Sequence, residues 1–213
     1  MNQKNYSSEY QTKKVQNYWD HYYQKKKSIF TNSDFSKFVN TYLTENSSII
    51  DLGCGDGRDS IFFSKNKIYT EGFDISAKAI QANKKYENKF LKFSVLDIEN
   101  IKELNKTYDF AYCRFLFHAI NEDLENILLF WLSNNITKKI FIETRILDEH
   151  LLNSNYDHYR RNFSQQDFID KLKKYNFEIT FLKASREFSK YKSTYNVSDL
   201  NHDPLLLRVV LSK

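Results

Sequence analysis

Glycine is nearly absent from this chain of 213 residues, yet three of its four glycines, Gly53, Gly55 and Gly57, fall within five residues. Ordinary usage of about 7% would place roughly 15 in this length. The scarcity, with a single proline and abundant Lys, Asn, Ile, Phe and Tyr, fits an AT-rich coding sequence. Glycines kept against that bias mark a backbone that needs left-handed angles, or a ligand approach that a Cβ would block. The run before them, Ser48–Leu52 (SIIDL), reads as a short buried strand. A strand that ends in such a turn, with a helix to follow, puts backbone amides at the carboxyl edge of a sheet, where open α/β folds bind ligands.

Strand and helix signals alternate downstream. Arg58–Ser64 reads as helix, Tyr69–Asp74 as strand, and Ser76 as the N-cap of a helix reaching Tyr86. Strands follow at Phe90–Leu96, Tyr108–Arg114 and Lys139–Thr144, with an apolar helix at Glu122–Ser133. Ser164 opens another helix, and Phe177–Lys183 and Leu205–Leu211 complete seven strands. Strands separated by helix-length segments predict right-handed crossovers, a mostly parallel Rossmann-like sheet and helices on both faces. Residues 1–12 read as a loose arm. Residues 13–45 read as a helical cap, with helices at Lys13–Lys27 and Asp34–Leu43. No repeat or Pro/Gly/Ser linker divides the chain, so residues 1–213 are expected to form one domain.

Composition narrows the function classes. A 41% hydrophobic and 16% aromatic chain can build a full core, and 32 basic against 27 acidic residues leave a net charge of +5. That small excess favours anionic ligands without calling for nucleic acid. Cys54 and Cys113 cannot form a disulfide scaffold. Apolar runs such as Ile127–Leu132 fall far short of the ~20 residues that span a bilayer. A cytoplasmic protein is the expectation.

Phosphate-cradling readings fit the glycine loop poorly. A nicotinamide fingerprint wants glycine where Arg58 stands, and a P-loop wants Gly-Lys-Ser/Thr where Arg-Asp-Ser follows. Asp51, just before the glycines, suits a ligand with an ammonium group. Asp74 ends the second strand, 21 residues after Gly53, where a carboxylate can accept both hydroxyls of a ribose. Asp97, at the end of the third strand, can meet an adenine amino group. An amino acid joined to adenosine without a phosphate bridge is S-adenosylmethionine. Ile75, Ile98, Cys54 and Cys113 adjoin these positions and are counted with the cofactor site.

IIDLGCGDGRDS, the end of YTEGFD and the VLD of FSVLDIE together resemble the three leading motifs of class I S-adenosylmethionine-dependent methyltransferases. The resemblance covers the chain from about Trp19 to Leu211. It implies a seven-stranded sheet with an antiparallel last strand and S-adenosylhomocysteine as product; no metal is expected. YWDHYY, then SDF, then the glycine loop resemble small bacterial methyltransferases of capsule and O-antigen biosynthesis, and more distantly thiopurine- and tellurite-type enzymes. In such folds the N-terminal helix closes over the cofactor. Trp19 and Tyr23, spaced i, i+4, share the face that would do so; equally, they are core aromatics.

Several subclasses drop out. Base-amine methyltransferases commonly carry an Asn/Asp-Pro-Pro-aromatic turn after the fourth strand, where this chain has Tyr112-Cys113-Arg114-Phe115. Cytosine C5 enzymes need a thiolate after proline, whereas Cys54 and Cys113 read as small space-filling thiols. Asp148-Glu149-His150 is the one cluster comparable to a catechol-type metal site, and it reads as a solvated turn.

A small acceptor remains, nucleotide-linked or phosphorylated, with O-methylation of a sugar hydroxyl or phosphoryl-type group the leading reaction. The fourth strand and its exit would put Tyr112, Arg114 and His118 near the methyl group. His118 is the general-base candidate, with a structural histidine the alternative; Arg114 is either part of that centre or a holder of the cofactor's carboxylate. Arg145, His158, Arg160 and Arg161 would bind the acceptor. The run Ser185–Pro204 reads as an acceptor flap or a long connection. RNA methylation is a second reading, drawn from Lys25–Lys27 beside Trp19, Tyr22 and Tyr23. A cofactor-binding subunit without catalysis is a third.

Overall fold

The computed structural model describes residues 8–25, 31–148, 160–189 and 203–213. His158, Tyr159, Glu149, His150, Lys26, Lys27 and most of the 185–204 run lie outside them.

Seven strands form one sheet: β1 Ser48–Leu52, β2 Tyr69–Asp74, β3 Leu91–Val95, β4 Tyr108–Arg114, β5 Ile136–Arg145, β6 Glu178–Ser185 and β7 Leu206–Ser212. Their order is β3-β2-β1-β4-β5-β7-β6. The pairs from β3 to β5 are parallel. β7 runs antiparallel to both its neighbours. This is the seven-stranded, mostly parallel sheet with an antiparallel last strand that the motifs implied. The order reverses between β1 and β4, which opens a crevice at their carboxyl ends.

Alternate side chains of the central strands face two cores. Ile49, Phe110, Tyr112, Phe141 and Val210 pack with Phe35 and Val39 of α2 (Asp34–Asn40) and Phe63 of α3 (Arg58–Lys65). On the other face Ile50, Leu52, Cys113, Ile142 and Val209 pack with α5 (Glu122–Asn135) and α6 (Gln165–Lys174). α4 (Ala77–Asn83) flanks β3 through Ile80. Serines at the predicted positions cap two of these helices. Ser76 accepts from Ala79 N, and Ser164 forms a capping box with Asp167.

The first helix, α1, runs from Ser8 to Lys25. It therefore takes in the end of the arm expected at residues 1–12, because the polar turn at its start carries no apolar stripe to announce it. Among the described residues, no helix is long and apolar enough to cross a membrane.

Gly72, the glycine outside the cluster, has a packing reason. A Cβ there would lie 2.6 Å from the Phe93 ring and 3.0 Å from Ser60 Oγ, so β2 and α3 approach as closely as they do because the side chain is missing.

Candidate active site

The loop after β1 is hung on the end of β2. Gly53 N and Cys54 N both donate to Phe73 O, at 2.8 and 2.9 Å, and Gly57 N closes a turn on Cys54 O. All three clustered glycines have positive φ, 77°, 53° and 72°. Asp74 Oδ2 accepts from Gly55 N at 2.8 Å, while Asp74 Oδ1 accepts from Ser76 N at 2.9 Å. Ile75 stands half-buried beside it. Asp97 caps the 3-10 turn Ile98–Glu103 through Glu99 N at 3.0 Å, with Ile98 buried beneath. The three acids thus stand at three consecutive strand ends along one edge.

α1 covers this loop. A Cβ on Gly55 would lie 2.3 Å from the Tyr23 hydroxyl, so Tyr23 rests on the bare glycine, and Trp19 stacks on it at 6.1 Å. Burial first, then Asp74, pushes the Tyr23 phenol up, so it stays protonated. Two holders escaped the sequence reading. Asp20 accepts from Ser76 Oγ at 2.6 Å and Lys78 N at 3.0 Å, docking α1 on the start of α4. Asn83 donates to Gly55 O at 2.8 Å. Asp20 had a signal, an acid one position from Trp19; Asn83 had none.

Both thiols are free and buried, and burial pushes each pKa up, so neither is a thiolate.

On the α2–α3 face runs a row of buried polar groups. Ser60 Oγ donates to Asp51 at 2.5 Å, and Asp51 is 2% exposed. Asp59 accepts from Ser33 N, Ser33 Oγ and the Tyr112 hydroxyl, at 2.7, 2.9 and 2.7 Å. Tyr112 is 1% exposed and packs between Phe35 and Phe63. This placement gives Tyr112 to the packing of α2 and α3 rather than to an acceptor. Arg114, further along β4, donates Nε to Glu143 at 2.8 Å.

Asp51 is the group most at odds with its surroundings. Burial pushes its carboxyl up to about 8, against the Ser60 hydrogen bond and Arg114, with Asp59 and Asp74 adding to the rise. A buried acid without a full cationic partner fits a cofactor that brings an ammonium. Below pH 8 that ammonium must displace a proton, so affinity for S-adenosylhomocysteine is expected to rise by up to ~tenfold per pH unit between pH 6 and 7. The stability of the ligand-free protein should move the other way. A carboxyl raised in the folded state stabilises it fully below its ordinary value of 3.8, and that contribution is lost as pH rises through about 8. Calorimetric titration across pH on wild type and Asp51→Asn checks both. An identical affinity profile in the variant would sink the assignment.

The exit of β4 builds the second part of the site. Phe115 holds φ at 60°, an outlier for a bulky residue, and its N–H donates to Glu143 O at 2.8 Å. Its ring lies against Arg114 (4.2 Å), Arg145 (5.9 Å) and His118 (5.7 Å). His118 is 5% exposed. Its Nδ1 lies 3.2 Å from Thr144 Oγ1 and 3.3 Å from Arg145 N. Arg161 N donates to His118 O at 2.9 Å and Leu147 N to Phe163 O at 2.8 Å, which lays residues 160–163 along the cleft. His118, Arg145, Arg160 and Arg161 line one small cleft. Arg161 also pairs with Glu125, which Lys171 shares at 2.7 Å.

Asp148 lines the same cleft, but the expectation of a solvated turn is corrected for this residue. It is 8% exposed, grips both Nη atoms of Arg186 and accepts from Leu205 N at 3.2 Å. No group of three potential metal ligands occurs among the described residues.

A switch-point crevice with a left-handed glycine turn, acids at three strand ends and a seventh antiparallel strand defines a class I methyltransferase fold. Comparison with known proteins agrees. A family profile described as a methyltransferase domain matches residues 19–181. The chain belongs to this family, whose cofactor is S-adenosylmethionine. Among solved structures it is similar to a TehB-like S-adenosylmethionine-dependent methyltransferase from Corynebacterium glutamicum, with TM-score 0.62 and 15% identity over 97% of this chain and 100% of that one. It is also similar to geranyl diphosphate C-methyltransferase from Streptomyces coelicolor, with TM-score 0.74 and 8% identity over 94% and 97%. A putative methyltransferase from Haloferax volcanii, in complex with the activator Trm112, gives TM-score 0.72 and 14% identity over 93% and 97%. At these identities the likeness is one of fold. No curated protein matches the sequence.

Proposed function

We propose that the protein is a cytoplasmic O-methyltransferase that methylates a small anionic acceptor, a sugar hydroxyl or phosphoryl-type group of bacterial cell-surface polysaccharide assembly. The observation that carries the acceptor reading is the cleft in which an imidazole and three arginines, His118, Arg145, Arg160 and Arg161, meet at the ends of β4 and β5. The polysaccharide setting is supported by the resemblance of YWDHYY, SDF and the glycine loop. One fold neighbour, geranyl diphosphate C-methyltransferase, takes an anionic ligand.

S-adenosylmethionine, when bound, supplies a methyl group already activated on a sulfonium. The chain's work is to hold, orient and manage a proton, and orientation can supply ~7–11 kcal/mol. Asp51 would take the ammonium, Asp74 the ribose hydroxyls and Asp97 the adenine amine, with α1 excluding water through Tyr23. Arg145 and Arg160 would bind the acceptor's anionic group, and His118 would take the proton from its hydroxyl.

The test is methyl incorporation from radiolabelled S-adenosylmethionine into phosphorylated and nucleotide-linked sugars and their neutral counterparts. Transfer is expected to the anionic set. Arg160→Met is expected to raise its KM by ~tenfold or more, the worth of one charged hydrogen bond. Equal transfer to neutral sugars, or an unchanged KM, would refute the acceptor reading while leaving the cofactor reading intact.

A further inference from the structure

Arg114, Glu143 and Arg208 are Cα partners across β4, β5 and β7, in one line on the face that also carries Asp51. Glu143 is 1% exposed and gives one oxygen to each arginine, 2.8 Å from Arg114 Nε and 2.6 Å from Arg208 Nε. Arg208 is itself clamped, its guanidinium 3.9 Å from the Phe188 ring and 5.2 Å from Phe35. A buried ion triad of this kind is a poor way to gain stability, since apolar packing of similar volume often does as well or better. A different use is indicated.

The hydrogen bonds show what that use is. Arg114 is held through Nε alone and by the face of its plane, against Phe115 at 4.2 Å. Among the described residues its two Nη amines make no hydrogen bond. Asp59, a further acid within its field, spends its oxygens on Ser33 and Tyr112. The result is a fixed guanidinium fork with its carboxylate-binding edge unspent. It lies on the strand next to Asp51, whose electrostatic surroundings include Arg114. An acid and a cation side by side on one sheet face match the ammonium and carboxylate that an α-amino acid carries on a single carbon.

We propose that Arg114 binds the α-carboxylate of the cofactor's amino-acid end, and that Glu143 and Arg208 are positioning residues that aim it. The proposal rests on the cofactor reading, and two ligands separate the two. S-adenosylhomocysteine carries the amino-acid group, whereas 5′-methylthioadenosine keeps the adenosine and sulfur without it.

Both are titrated calorimetrically into wild type, Arg114→Lys, Arg114→Met, Arg208→Lys and Arg208→Met. The lysine variants keep the charge beside Glu143 and so guard against a folding defect. The Arg114 variants are expected to lose ~10–100-fold for S-adenosylhomocysteine while 5′-methylthioadenosine stays within about twofold, as for one charge-assisted contact. The Arg208 variants should show the same selectivity at ~3–10-fold, because the fork is misaimed rather than removed. Equal losses for the two ligands would show a merely structural triad, and unchanged affinity for both would show no role; either result overturns the proposal. Wild type that binds neither ligand would bring down the cofactor reading and this proposal together.

Discussion

His118→Ala is expected to lower kcat by ~10²–10⁴-fold, the usual worth of a positioned base, while affinity for S-adenosylhomocysteine stays unchanged. The argument rests on what holds the ring. Arg145 N–H can only donate, so its 3.3 Å contact fits a tautomer with Nδ1 bare and the proton on Nε2. The Thr144 hydroxyl, 3.2 Å from the same nitrogen, can also accept, and so supports the tautomer with Nδ1–H and a bare Nε2. Only the second form takes a proton at Nε2. Where Thr144 takes the Nδ1 proton it readies His118, and the ring is buried and lies edge-to-face against Phe115, so it does not swing away. Single-turnover transfer measured beside calorimetric cofactor binding separates the possibilities. Equal losses in both would make His118 a structural residue of the β4 exit, and no loss in turnover would remove it from the chemistry.

The parts of this site that sequence disclosed are those built from local geometry. A glycine cluster after an apolar run, acids at strand ends and serines before helices each state a backbone requirement within a few residues, and the left-handed glycine turn and the Ser76 and Ser164 caps are where the sequence put them. Asp20 and Asn83 were missed, and the pairing of Glu143 was not foreseen, because their roles are made across the fold. Asp20 meets Ser76 and Lys78 only when α1 docks on α4. Glu143 meets Arg208 only because β7 returns antiparallel beside β5. Tyr112 shows the opposite failing. Its position along β4 was right, but alternation along a strand does not say which face is which, and its ring points to α2 and α3. Phe115 was invisible for a further reason: a bulky residue at positive φ contradicts local preference. Such strain is stored where surrounding structure holds it, and functional sites are where it gathers.

Asp74→Ala should produce the largest loss of cofactor affinity, ~10²–10⁴-fold, because two charge-assisted hydrogen bonds disappear at once. A carboxylate offers about four acceptor sites. Two are already used, by Gly55 N and Ser76 N, so Asp74 both pins the glycine turn and retains two sites for a pair of ribose hydroxyls. Burial pushes its carboxyl up to about 6, against the pull of those two backbone donors, so the ionised form predominates at neutral pH and is lost below it. Affinity should accordingly weaken as pH falls through 6 in wild type, and this limb should vanish in the variant. Asp74→Asn offers no rescue, since its amide must turn a donor toward Gly55 N–H or Ser76 N–H. In thermal unfolding, ligand at about 100 times its wild-type dissociation constant stabilises by ~2.7 kcal/mol, and that shift is expected to disappear with Asp74→Ala. A well-folded variant that keeps its shift would show that the ribose is held elsewhere and that Asp74 serves the glycine turn alone.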